Sequence, residues 1–145
     1  MEKQEIIDTL NELLQGEHMA IHIYDKTKYL QGDDQVKNML QRFQQDHERH
    51  ASQLSQRIQE LGGEPIASTG LSGTMSNIMG MVNAIRGPEH LIEQVYQGED
   101  MGFYAYEKRL YKVDPESQEL LRNIMWEDNE HLSYFRQRIE QEERE

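Results

Sequence analysis

Apolar residues recur at spacings of three and four in four separate stretches of the chain, the pattern of helices that bury one stripe against their partners. The first stripe runs Ile7, Leu10, Leu14, Glu17, Ile21, Tyr24, and the second runs Val36, Leu40, Phe43, His47, His50, Leu54, Ile58, Leu61. A third follows Ile92, Val95, Glu99, Gly102, Tyr106, and a fourth follows Leu121, Ile124, Asp128, His131, Phe135, Ile139. Each is interrupted near its middle by side chains that ionise or bind metal. The punctuation agrees with four helices. Gly32 ends the first, Asp33 or Asp34 caps the second, Gly62 and Gly63 stop it, and Pro88 and Pro115 stand at first helical positions, the latter behind Asp114. Runs rich in Gln, Glu, Lys and Leu without period-two alternation predict no strand. The expectation is an all-α domain over 1–145: a helical hairpin at about 3–61, a connection over 62–87 and a second hairpin at about 88–142. Within the connection Leu71, Met75, Ile78, Val82 and Ile85 fall at helical spacing. They predict a short crossover helix packed on the bundle, with docking to a membrane or partner as the other use of a Met-bearing stripe.

The two hairpins are copies. Gly16 to Lys26 aligns with Gly98 to Lys108, sharing the Gly-Glu pair, Met, Tyr and Lys, and Asp46 to Ile58 aligns with Glu127 to Ile139, sharing His50 with His131 and the later Ser, Gln, Arg and Ile. The register shifts by one residue between the two matches, which places a single deletion in a loop. Two such hairpins close into one bundle when a twofold axis relates them, and the chain must then travel the bundle's length between them. A helix of about 25 residues spans about 37 Å, and the 62–87 segment is long enough for that.

Duplication brings equivalent residues together near the axis. The equivalent interruptions are Glu17 with Glu99, His47 with Asp128, and His50 with His131, all at stripe positions. A carboxylate or imidazole in a bundle core is costly unless it is paired or coordinates a cation. Residues three apart project from one helix face, so His47 with His50, and Asp128 with His131, can each chelate from one helix. Carboxylate oxygen with imidazole nitrogen suits iron, manganese or zinc, whereas calcium and magnesium favour all-oxygen sites. Asp46 and Glu127 lie four residues before His50 and His131 and flank the stripe, which suits them to orient the histidines. Tyr24 and Tyr106, seven residues beyond Glu17 and Glu99, share their face and are placed to hydrogen-bond those carboxylates, to serve redox chemistry, or simply to pack. His18 and His22 read as solvated helix residues beside the stripe, and Trp126 as a lid over the core near Asp128.

Composition changes the list of partners more than the fold. The 145 residues include no Cys, which removes thiolate metal sites and thiol chemistry, and 15 Lys and Arg against 27 Asp and Glu give a net charge of -12. That acidity, without a basic cluster, argues against nucleic acid and leaves metal cations as partners. A mean hydropathy of -0.90 would suit disorder if the apolar residues were scattered, and they are not. No apolar run of membrane-spanning length and no basic, apolar leader stand out, so there is no strong membrane signal and the expectation is a cytoplasmic protein, with room for a homo-oligomer.

One Glu from each of two helices, with a carboxylate-x-x-His pair from each of the other two, is the pattern of the ferritin-like di-iron carboxylate bundles, which this chain resembles. In more detail, Gly62-Gly63-Glu64-Pro65, the Gly- and Ser-containing connection, and Gly98-Glu99-Asp100 with Tyr106 resemble an uncharacterised bacterial ferritin-like branch of unknown function. The resemblance implies a bundle with a long crossover and one or two iron ions, with manganese or zinc as alternatives. Glu17 and Glu99 would be terminal ligands, His50 and His131 nitrogen ligands, and Asp128 the bridge; oxidation of Fe(II) by oxygen or peroxide would be the chemistry. The departure is at His47, where that pattern expects a bridging Glu. Three carboxylates against two divalent cations leave a residual charge of +1, so a second ion is expected to bind more weakly or not at all. The rival expectation is a non-catalytic helical module, serving stress response or assembly, whose polar core is a hydrogen-bonded network.

Overall fold

The computed structural model describes residues 2–30, 32–68 and 88–144. Among them are four long helices, α1 (Lys3–Thr27), α2 (Asp34–Glu60), α3 (Pro88–Arg109) and α4 (Pro115–Arg144), and no strand. Single 3-10 turns, Lys28–Leu30 and Leu110–Lys112, follow α1 and α3. The predicted crossover helix lies outside the described residues. None of the helices is long and apolar enough to cross a membrane.

The duplication is legible in the termini. Leu30 is followed by Asp34 as the first residue of α2, and Lys112 by Pro115 as the first of α4, so the one-residue shift falls between turn and cap. Asp33, rather than Asp34, caps α2, its Oδ1 accepting from the backbone N–H groups of Gln35 and Val36. The equivalent Asp114 accepts from the N–H of Ser117. Both glycines after α2 are required, for different reasons. Gly62 has φ of 86°, the left-handed turn that ends the helix, and the N–H of Gly63 reaches back to the carbonyl of Ile58 at 2.9 Å. A Cβ on Gly63 would lie 2.6 Å from Ile7 Cγ2.

Helix α1 packs on α2 and on α3, and α4 packs on α3 and on α2. Cross-links fix the directions. Glu17 meets Tyr106 while Tyr24 meets Glu99, so α1 and α3 are antiparallel. His50 meets Glu127 while Asp46 meets His131, so α2 and α4 are antiparallel too. Helices α2 and α3 therefore run the same way on opposite corners, so the end of α2 and the start of α3 lie at opposite ends of the bundle. The described start of that connection lies along α1: Asn11 accepts from the N–H of Ile66 at 2.8 Å and donates to the carbonyl of Glu64 at 3.1 Å.

The core divides into two apolar clusters. One gathers Leu10, Leu14, Leu54, Ile58, Leu121 and Ile124 with their neighbours, and the other gathers Tyr24, Leu40, Phe43, Leu91, Ile92 and Phe135. Between them lies a buried polar layer made by the interruptions of the four stripes.

Candidate metal centre

Glu17, His47, His50, Glu99, Asp128 and His131 are all buried in that layer, so the structure brings all six together. Each is placed by its helix stripe: the same period that points Leu10 and Leu14 inward points Glu17 inward, one turn further on. The duplication appears as reciprocal contacts between the halves. The Tyr106 hydroxyl donates to Glu17 Oε1 at 2.7 Å, and the Tyr24 hydroxyl donates to Glu99 Oε1. His50 donates through Nε2 to Glu127 Oε1 at 3.1 Å, and His131 through Nε2 to Asp46 Oδ2 at 2.8 Å. Asp46 and Glu127 thus hold the histidines, but each holds that of the other half.

With the outer nitrogens committed, both Nδ1 atoms face inward. His50 Nδ1 lies 3.5 Å from Glu17 Oε1 and 3.8 Å from Asp128 Oδ1, and His131 Nδ1 lies 3.2 Å from Glu99 Oε1 and 3.7 Å from Asp128 Oδ1. Two of these atoms, His50 Nδ1 and Asp128 Oδ1, are buried without a hydrogen-bond partner. Lone pairs converging on one space need something positive there, a proton or a metal ion.

The twofold breaks at the pair His47 and Asp128. His47 spans the layer, its Nδ1 2.7 Å from Glu17 Oε2 and its Nε2 2.6 Å from Glu99 Oε1. Both nitrogens of this imidazole are in use. Burial works against its charged form, but the Glu99 and Glu17 carboxylates outweigh that and raise its pKa well above 6.5. Burial would likewise raise Glu17, and His47 and His50 reverse this, holding it at about 2; Glu99 is lowered in the same way by His47 and His131. Asp128 has weaker support, from His131 Nδ1 at 3.7 Å and His50 Nδ1 at 3.8 Å from its Oδ1. Burial, then the charges of Glu99 and Glu17, push it up to about 8.

Several features lay beyond the sequence reading. Arg49 donates twice to Glu127, at 2.7 and 2.6 Å, and once to Asp46 at 2.9 Å, tying together the two carboxylates that hold the histidines. Its position three residues after Asp46 was the available signal. Phe43 stacks on the His131 ring at 4.0 Å and closes one side of the layer. Trp126 does not. It is 69% exposed on the outer side of α4, because two residues before Asp128 is about 200° around a helix from the inward direction. His18 is not simply solvated either: its Nε2 lies 3.1 Å from the carbonyl oxygen of Ile66 and anchors the start of the connection, while His22 is exposed.

The profile of one family, described as a domain of unknown function, DUF2383, matches residues 5–112. The chain belongs to that family. No curated protein matches it. Among solved structures, this DUF2383 chain is similar to the bacterioferritin of Desulfovibrio desulfuricans, whose structures describe a diiron site, at 24% identity and a TM-score of 0.78 over 95% of this chain and 80% of that one. It is also similar to a ferritin-like, diiron-carboxylate protein from Bacillus anthracis, at 22% identity and a TM-score of 0.75 over 96% and 99%. A third is the bacterioferritin-related protein of Bacteroides fragilis, a dodecameric thioferritin, at 17% identity and a TM-score of 0.83 over 99% and 89%. At these identities the likeness establishes the fold, a ferritin-like four-helix bundle.

Proposed function

We propose that this DUF2383 chain binds one or two transition-metal ions in its polar layer, iron first, with manganese or zinc as alternatives. The observation that carries the reading is the buried group of His47, Glu99, Asp128 and His131, whose donor atoms lie within 4.8 Å of one another and include an Asp128 Oδ1 without a hydrogen-bond partner. The donor set fits: imidazole nitrogen with carboxylate oxygen suits these metals, and Asp46 and Glu127 hold the outer histidine nitrogens as carboxylates do behind metal-bound histidines. The diiron sites named for the Desulfovibrio and Bacillus proteins support iron.

Iron, when bound, would supply one-electron redox chemistry, and oxidation of Fe(II) or reduction of peroxide is the corresponding activity. The chain's own residues would set the conditions for it. Tyr24 and Tyr106 orient the Glu99 and Glu17 carboxylates, Asp46 and Glu127 orient His131 and His50, and the two apolar clusters keep bulk water from the layer.

One observation favours a second reading. The contacts of His47 to Glu17 and Glu99 link the halves without any ion, as a module with a structural polar core requires. Thermal melting separates the two. A ligand bound only by the folded state raises the melting temperature by mass action, so chelator should lower it and Fe(II), Mn(II) or Zn(II) should restore it. No response to any of the three would favour the structural module. The dodecamer described for the Bacteroides protein supports extending the proposal to a homo-oligomer, which sedimentation of the purified chain would test.

A further inference from the structure

The two halves of the polar layer are unequal. In one, donor atoms of His47, Glu99, Asp128 and His131 all lie within 4.8 Å of one another; in the other only Glu17, His47 and His50 do. His47 belongs to both groups and has one ring nitrogen for each. A ring nitrogen cannot bind a metal and donate a hydrogen bond at once, so His47 serves one side as ligand and the other as donor. With Nε2 as ligand, Nδ1–H points at Glu17 Oε2, 2.7 Å away, the arrangement that fixes metal-bound histidines. His131 repeats it, with Nδ1 inward and Nε2 held by Asp46. The opposite choice would leave a three-donor group without Asp128.

We propose that the layer is a mononuclear site in which His47 Nε2, Glu99, Asp128 and His131 Nδ1 hold one divalent transition-metal ion, and that Glu17 is not a ligand but the acceptor that positions His47. This rests on the metal-binding reading above and deepens it. Two carboxylates neutralise one divalent ion. A second ion, beside Glu17 and His50, would add two charges against one carboxylate and would have only Asp128 to bridge it to the first. Among the described residues no other groups gather in this way.

The test uses full-length, untagged, chelator-stripped protein, titrated anaerobically with Fe(II) by calorimetry and with Co(II) by visible absorption. The parent should take up one ion per chain, and Co(II) should develop the stronger visible bands of a four- or five-coordinate ion, complete at one equivalent. His50→Gln should keep that stoichiometry and lose less affinity than His131→Gln. His131→Gln and His47→Gln should each lose affinity by about tenfold or more, on the scale seen when the set of groups around a metal is disturbed. His47→Glu, which supplies a second bridging carboxylate, should raise the stoichiometry toward two. Two ions in the parent, reduced to one by His50→Gln, would overturn the assignment in favour of a dinuclear site. So would binding lost in His50→Gln and kept in His131→Gln, or binding in His47→Gln as tight as in the parent. No uptake of either metal by the parent would instead overturn the metal-binding reading itself. The Co(II) spectrum and endpoint of the parent decide between one ion and two even if a variant fails to fold.

Discussion

At the scale of single residues, the layer is a set of charges placed so that each but one is hydrogen-bonded to an opposite charge. The exception is Asp128, pushed up to about 8 by burial and by Glu99 and Glu17, from an ordinary 3.8. A carboxyl raised on folding favours the neutral form, so its contribution is fully present below pH 3.8 and is lost as pH rises through about 8. Metal-free protein should therefore lose several degrees of melting temperature between about pH 5 and 8.5, and Asp128→Asn, which stays neutral, should flatten that decline. An unchanged slope in the variant would remove Asp128 as its source. Glu17 has the opposite sign: held at about 2, it contributes above its ordinary 4.5 and is lost as pH falls toward 2. The tyrosines offer a second test. Tyr24→Phe and Tyr106→Phe each remove a hydrogen bond to a buried carboxylate, which should cost about 1.5–3 kcal/mol in denaturant unfolding. Because the contacts are reciprocal, the two losses should be similar.

At the scale of elements, the stripes carried most of what could be read in advance. Leu10 to Tyr24 and Leu121 to Phe135 announce helices, and the charged groups inside them announce a polar layer, because a 3.6-residue period fixes which positions point inward. Periodicity cannot say which inward residue faces which across the bundle. The exchange of Asp46 to His131 and Glu127 to His50, and the clamp of Arg49 on both, needed the antiparallel packing of α2 on α4. Trp126 was misplaced for a simpler reason: sequence adjacency to Asp128 was read as spatial adjacency, and on a helix it is nearly the reverse. The helix ends carry their own prediction. Gly63→Ala should cost about 1–3 kcal/mol because its Cβ would press on Ile7 Cγ2 at 2.6 Å, while Gly62→Ala, in open space but at φ of 86°, should cost about 1–2 kcal/mol from backbone strain alone. Trimming Ile7 to Ala should rescue only the first, as a double-mutant cycle would show.

At the scale of the molecule, duplication explains both the order and the asymmetry of the centre. Two copies of a hairpin, related by an approximate twofold, pair the ends of α2 and α4 as well as their middles: Arg57 donates to Asp114 Oδ2 and Arg138 to Asp33 Oδ2, each at 2.7 Å. Apolar clusters then close the layer from both sides, and among the described residues the buried carboxylates and imidazoles all lie where the four stripes are interrupted. Symmetry alone would make the two halves of the layer equivalent; His47 opposite Asp128 makes them different, and the proposed one-ion centre rests on that difference. Elemental analysis of untagged protein, purified without chelator and compared with its Glu99→Gln, Asp128→Asn double variant, is the decisive measurement. The parent should carry about one equivalent of iron, manganese or zinc per chain and the variant little. A parent free of all three metals that also fails to take up any on addition would contradict the metal-binding reading.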